Sequence, residues 1–303
     1  MIPLFPVFKN LEMSDRQAVE KITSGFPPYA EYQFTTMCCW EIHQPFQLST
    51  INGNLLLKQT NCLTGEYFFS LIGKNNLTAT VRQVLDFLSV NKLPTVLKCL
   101  PEEMLEHLDQ SQFNICEDRD NFDYIYPVAG FHEARGSSYK VFRHKCAAFK
   151  TNYPDIITRS FDLTLPQNSS QILTLYDTWA SAKAAGNKDF ESAGEHYALK
   201  KLLSMARNLD SVGAIGLFDR QTMIAFSIFE INDTKFITGL FCKANTNYKG
   251  VYQYLMKEVV ALSHNRGIEY LNWEADLGLE SLRKSKMELH PAFFLKKYIL
   301  EPV

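Results

Sequence analysis

Near its C-terminal end the chain gathers three acids, a glycine and three cations into one short run, Asn272-Trp-Glu-Ala-Asp-Leu-Gly-Leu-Glu-Ser-Leu-Arg-Lys-Ser-Lys286. The run overlaps the end of an expected strand, Ile268–Glu274. Carboxylates such as Glu274 and Asp276 are costly at the end of such a strand unless they face a cleft or meet a cation. In α/β sheets the C-terminal ends of strands are where ligands bind. The spacing therefore predicts a cleft in which Asp276 and Arg283 converge. The alternative is that Glu274 and Asp276 pair with Arg283 and Lys284 and merely lock a loop.

A second chemistry-bearing stretch runs from Asp118-Arg-Asp-Asn-Phe-Asp-Tyr-Ile-Tyr126 through Tyr139-Lys-Val-Phe-Arg-His-Lys145 to Tyr153. Its charge changes sign abruptly. Residues 131–150 carry Arg135, Lys140, Arg143, Lys145 and Lys150 against one acid, Glu133. Such a patch suits phosphate, and Tyr139, Phe142, His144, Phe149 and Tyr153 offer faces on which bases stack. A solvated cationic helix face explains the same composition.

Other chemistries find little support. No His/Cys set has zinc-ligand spacing, so no metal is expected. Neither a Gly-x-Ser-x-Gly elbow nor a Walker loop occurs. Met37-Cys-Cys-Trp40 with Phe34 reads as core. With 31 basic and 33 acidic residues the chain has no global field to attract nucleic acid or an anionic membrane, so any such partner must be bound locally. Seven cysteines at irregular spacing suggest reduced thiols in a cytoplasmic protein, and neither a signal peptide nor a membrane-spanning segment is expected.

The elements that must position these residues alternate between strand and helix, the mark of a mixed α/β or α+β chain. Strands are expected at Leu55–Gln59, Tyr67–Ile72 and Thr95–Cys99, with a helix at Thr78–Val90 between the last two and an acidic helix opening at Pro101. The order recurs from Val212: strands at Ala214–Asp219, Met223–Ile231 and Lys235–Phe241, a helix at Val251–Asn265, and a strand at Ile268–Glu274. Asp219-Arg-Gln221 and Asn232-Asp-Thr234 read as hairpin turns. Apolar Val251, Leu255, Val259 and Leu262 give the helix a face for a sheet. Helices are also expected at Gln171–Ala185 and Glu195–Arg207, with a polar turn over 186–189. Antiparallel strands, a helix and a strand re-entering the sheet describe a GNAT-like acyltransferase core. Two in tandem fill the length, as residues 1–155 and 156–303, with a short linker near Thr151–Pro166.

The Asp-Tyr-Ile-Tyr126 segment, the cationic cluster ending in Phe149-Lys-x-x-Tyr153, and Asn272-x-Glu-x-Asp-Leu-Gly-x-x-x-Leu-Arg-Lys-x-Lys286 followed by Pro291 resemble the C-terminal domain of phosphatidylglycerol lysyltransferases, over roughly Asn121 to Tyr298. That family has two GNAT-like domains, is related to the Fem peptidyltransferases and includes stand-alone soluble members. Its better-known members move an amino acid from aminoacyl-tRNA to phosphatidylglycerol. The resemblance implies that Glu274, Asp276, Arg283 and Lys284 surround the aminoacyl end, that Arg143, His144 and Lys145 lie near the junction of the domains, and that Tyr126 and Lys286 contact substrate. It further implies that Asp276 or Glu274 holds the donor's α-amine while Arg283 or Lys284 meets a phosphate or the oxyanion. The chain departs from the family at His144, where Asn is common, and at Ala275, where Gln is common.

On this reading the chain is an aminoacyl or acyl transferase whose donor is aminoacyl-tRNA, whose acceptor is a small molecule or lipid, and which needs no cofactor. One alternative donor is acetyl-CoA. A pyrophosphate site needs open N–H groups at a glycine-rich turn before a helix, and here that turn reads Asn247-Tyr-Lys-Gly-Val-Tyr252, in which Tyr252 is expected to crowd the phosphate. The remaining alternative is a non-catalytic protein that binds a small anion.

Overall fold

The computed structural model describes residues 1–186, 192–232 and 235–303. In chain order, β1 (Lys9–Asn10), α1 (Arg16–Thr23) and α2 (Phe34–Cys39) lead into β2 (Gln47–Ile51), β3 (Asn54–Thr60), β4 (Tyr67–Ile72), α3 (Leu77–Val90), β5 (Leu97–Pro101) and β6 (Phe113–Glu117). Next come β7 (Asp123–Pro127), α4 (Val128–Glu133), α5 (Lys140–Asn152), β8 (Ile157–Ser160), α6 (Pro166–Gly186) and α7 (Ala193–Met205). The chain closes with β9 (Val212–Asp219), β10 (Thr222–Ile231), β11 (Phe236–Ala244), α8 (Val251–Asn265), β12 (Tyr270–Asn272), α9 (Glu280–Met287), β13 (Phe293–Leu295) and β14 (Lys297–Pro302).

These elements form two seven-stranded sheets, ordered β1-β2-β3-β4-β5-β14-β6 and β13-β7-β12-β11-β10-β9-β8. The fold is mixed α/β, as expected. In each sheet a run of antiparallel strands leads into a helical crossover between parallel neighbours: β2-β3-β4-α3-β5 in one and β9-β10-β11-α8-β12 in the other. The expected hairpin at Asp219 is present, with Asp219 opposite Thr222 and Arg220 left-handed. Two expected turns, over 186–189 and 232–234, fall on 187–191 and 233–234, outside the described residues.

The cores follow from helix periodicity. In the first unit α3 presents Leu77, Val81, Val84, Leu85 and Leu88 to Leu56, Leu71, Leu97 and Leu300 of its sheet. In the second, Val251, Leu255 and Val259 of α8 are almost fully buried. Each such side chain contributes about 1.5–3 kcal/mol on removal from water. Phe34, Met37, Cys38 and Cys39 are buried, as their composition suggests.

The expected acidic helix after Pro101 is a 3-10 helix, Glu102–His107. One expectation needs correction. The division of the chain is not a single linker near 151–166. The first compact unit comprises Met1–Asp123, Ala275–Arg283 and Phe294–Val303, and the second comprises Tyr124–Glu274 and Lys284–Phe293. The reason is strand exchange. β14, at the C-terminus, inserts between β5 and β6 of the first sheet, while β7 pairs with β12 of the second. Local composition does not encode such long-range pairing.

Candidate functional site

The acidic motif after β12 is built from two successive side-chain turns. Asn272 accepts the Glu274 N–H on its Oδ1 at 2.7 Å, and Asp276 accepts the Gly278 N–H on its Oδ1 at 2.9 Å. Asn and Asp favour such turns because their short side chains can accept from the backbone N–H two residues on, as a peptide carbonyl does in a β-turn. The backbone bends accordingly, with Glu274, Leu277 and Gly278 all at positive φ. Gly278 is required on two counts. Its φ is +74°, and a Cβ there would stand 2.8 Å from the Asp120 carboxylate.

Within the first unit, Asp276 is fully buried and gripped by two guanidinium groups. Arg283 donates from Nε and Nη2 to its two oxygens at 2.9 and 2.8 Å, and from Nη2 to Asp120 at 2.6 Å. Arg119 lies 3.3 Å from Asp276, with its guanidinium over the Phe122 and Phe294 rings. Hydrogen bonds that Arg283 donates to Asp276 and Asp120 hold its pKa above the ordinary value, so Arg283 is a permanent cation. Its side chain is 36% exposed, whereas the Asp276 carboxylate is 0% exposed. The expected open cleft in which both charges face solvent is therefore not what forms. A lone buried carboxylate is prohibitively costly, so Asp276 turns inward to its cations, and Arg283 provides the outward edge.

The second unit holds the other candidates. β12 ends at Asn272, so Glu274 lies beyond the strand rather than at its last position. The Glu274 carbonyl accepts from the Tyr124 N–H at 3.2 Å and from Lys286 Nζ at 3.1 Å. Lys286, 6% exposed, also donates to the Trp273 carbonyl at 2.6 Å and lies 5.6 Å from the Tyr124 ring centroid. Buried Tyr126 donates its hydroxyl to the Lys286 carbonyl at 2.8 Å. Both thus fasten the motif internally. Arg143 donates to the carbonyls of Ala134 and, at 2.8 Å, Gly136, tying down the end of α4. Lys140, His144, Lys145 and Lys150 are exposed on α5, and Lys284 is exposed on α9.

Sequence reading missed a further cluster in this unit. Lys243, 9% exposed at the C-terminal end of β11, donates to Glu195 Oε1 at 2.7 Å and sits 3.9 Å above the Trp179 ring. Tyr176 and His196 stack beside it at 5.0 Å. The residues lie on α6, α7 and β11, and no local motif joins them. A lysine inside an otherwise apolar strand, Phe-Ile-Thr-Gly-Leu-Phe-Cys-Lys243-Ala, was the available signal.

Four N–H groups of the turn before α8 have acceptors inside the protein. Asn247 N–H donates to Asn245 Oδ1 at 3.1 Å, Tyr248 N–H to the Asn245 carbonyl at 3.2 Å, Lys249 N–H to the Tyr153 hydroxyl at 3.3 Å and Val251 N–H to the Tyr248 carbonyl at 3.1 Å. Tyr252 does not crowd this turn as expected. It faces inward, where burial raises its hydroxyl pKa and Cys242, Ala244 and Trp179 surround it. β11 and β12 pair only from Phe236/Tyr270 to Thr238/Asn272, and where they part the Trp273 ring covers Gly239 so closely that a Cβ would come within 2.4 Å. The first unit is filled at the corresponding place. Buried Tyr32 donates its hydroxyl between the Leu71 and Cys99 carbonyls, each at 3.0 Å, and Asn54 Oδ1 takes the Asn75 N–H at 2.9 Å.

The family described as phosphatidylglycerol lysyltransferase, C-terminal, matches residues 24–301. A conserved protein of unknown function from Bacteroides thetaiotaomicron VPI-5482 shares the fold with a TM-score of 0.85 at 23% identity, covering 100% of both chains. L-PGS from Bacillus licheniformis gives 0.65 at 12% identity, covering 97% of this chain and 93% of that one. FemX gives 0.61 at 7% identity, covering 98% and 97%. No curated protein matches the chain by sequence. No helix among the described residues is long and apolar enough to cross a membrane.

Proposed function

Because the chain belongs to the phosphatidylglycerol lysyltransferase C-terminal family, a family of aminoacyltransferases, we propose that it transfers an aminoacyl group from aminoacyl-tRNA to an amine or hydroxyl acceptor. The choice of donor rests on the turn before α8. Its N–H groups at Asn247, Tyr248, Lys249 and Val251 already have acceptors inside the protein, whereas binding the pyrophosphate of coenzyme A would require them to point at the ligand. The exposed cations of α5 support the same choice, since a tRNA backbone is held by such charges.

The aminoacyl ester is already activated, so the protein must chiefly align the two substrates. The acceptor nitrogen or oxygen bonds to the acyl carbon, the bond from that carbon to the ribose oxygen breaks, and the ribose oxygen takes the proton that the acceptor loses. In this reading Arg283, a cation at any working pH, meets a phosphate or the developing oxyanion with its outward edge. Asp276 acts only through Arg283. The reading implies a cytoplasmic protein, where charged tRNA is found.

Thermal denaturation tests the donor. A non-hydrolysable aminoacyl-adenosine is expected to raise the melting temperature, because a ligand at a hundred times its Kd adds about 2.7 kcal/mol to stability. Acetyl-CoA is expected to leave it unchanged. A rise with acetyl-CoA and none with the mimic reverses the assignment.

A further inference from the structure

The Lys243 cluster is a half-finished ring of charges. Tyr176 directs one hydroxyl proton between two acceptors, the Ser192 carbonyl at 3.0 Å and Glu195 Oε2 at 3.1 Å, so the carboxylate shares its second donor. The Lys243 ammonium has three N–H groups. One bonds Glu195, and the ammonium sits over the Trp179 ring at 3.9 Å, with the Tyr176 ring at 5.9 Å. Among the described residues the pair is therefore a nearly buried cation and a partly exposed anion, each with bonding capacity left, beside the Trp179 ring. The Glu195 side chain is 26% exposed, so the cluster is reachable.

β11 and β12 are the parallel strands joined by α8, and ligands of open sheets bind beyond the carboxyl ends of such strands. Lys243 is at that end of β11, about five residues or roughly 16 Å past the last β12 partner.

We propose that Glu195 and Lys243 form a subsite for an α-amino acid, with Glu195 receiving the α-ammonium and Lys243 the α-carboxylate. The ligand completes a square in which charges alternate. It brings no net charge, so neither member of the pair is left opposite an unpaired ion. A simple cation would find only Glu195 and a simple anion only Lys243, each facing repulsion from the other member. With both charges engaged by the head group, the partly exposed Trp179 ring is left to cover an apolar side chain. Cys242 next in the strand is not a nucleophile here, since burial pushes its thiol up to about 12. This deepens the transferase reading by making the acceptor an amino acid, whose amine takes the aminoacyl group.

The test uses the full chain without any donor, so its failure leaves the charged-tRNA assignment standing, and failure of that assignment leaves this binding site standing. Calorimetric titration with L-leucine and L-phenylalanine is compared with their amides, which lack the carboxylate, and their N-acetyl derivatives, which lack the ammonium. Free amino acids are expected to bind at least about tenfold more tightly than either derivative, or about 1.4 kcal/mol. Lys243→Met, which keeps the stem, is expected to abolish the preference for acid over amide. Equal binding of acid and amide to the native chain overturns the proposal, as does no binding of either amino acid. Because these comparisons use the native chain, the proposal stays testable even if the variant does not fold.

Discussion

Arg283 grips Asp276 along one edge of its guanidinium, Nε at 2.9 Å from Oδ2 and Nη2 at 2.8 Å from Oδ1, and the carboxylate has no contact with solvent. A charge so buried depends on its partners. Arg283→Ala leaves Asp276 with Arg119 as its remaining guanidinium and is expected to lower stability by about 2–4 kcal/mol. Asp120→Ala removes an exposed partner of the same arginine and is expected to cost less than about 1 kcal/mol. Urea denaturation of the two variants checks the contrast. Equal losses would show that the network does not hinge on Asp276.

Lys286 and Lys284 lie two residues apart on α9 and have different surroundings. Lys286→Met keeps the stem but leaves the Trp273 and Glu274 carbonyls without its donors, and is expected to cost about 1–3 kcal/mol. Lys284→Met, at an exposed position, is expected to stay within about 0.5 kcal/mol of the native chain. If Lys286→Met is as stable as the native chain yet loses transfer, the ammonium serves substrate rather than backbone.

Lys297, Asp123 and Glu31 place one buried cation between two carboxylates in the first unit. Burial is the main cause that pushes Glu31 up from 4.5 to about 7; Asp123 adds to the rise and Lys297 opposes it. The folded state therefore holds this proton more tightly than the unfolded chain. Its stabilising effect is full below pH 4.5 and is lost as the pH rises to about 7, amounting to at most about 3 kcal/mol. Glu31→Gln is expected to flatten that decline, read as stability across pH 4.5 to 8. A decline unchanged in the variant would assign it to other groups.

Arg143 and Lys145 are two residues apart on α5, and the Arg143 guanidinium is tied to the backbone carbonyls of Ala134 and Gly136, whereas Lys145 is exposed. Lys145→Ala is expected to weaken binding of a charged tRNA and to reduce the slope of log affinity against log salt by about 1, with the melting temperature unchanged. Arg143→Ala is expected to lower the melting temperature as well. Binding that ignores salt and both substitutions would remove α5 from the donor site.

The sequence was enough to locate β4 and α8, whose bounds agree with expectation at both ends. Alternation and the 3.6-residue period are local properties, and Gly73 and Gly250 mark where the chain must change direction. The clustering of Asn272, Glu274, Asp276 and Arg283 was equally legible. Its meaning was not. Part of that polarity is turn chemistry, since Asn272 and Asp276 cap backbone N–H groups, and an Asx turn is indistinguishable from a ligand cluster until the bonds are seen.

Composition and periodicity thus determined the class of fold, the two crossovers and the address of the motif, because each depends on residues a few positions apart. Tertiary structure alone decided that Arg119 and Asp120 would join Asp276 and Arg283, that Lys243 would meet Glu195, and that β14 would complete the first sheet. Those partners are separated by tens to hundreds of positions along the chain. Their pairing is set by which strands share a sheet and by the cost of burying a charge alone, and neither quantity exists in a linear string until the chain has folded.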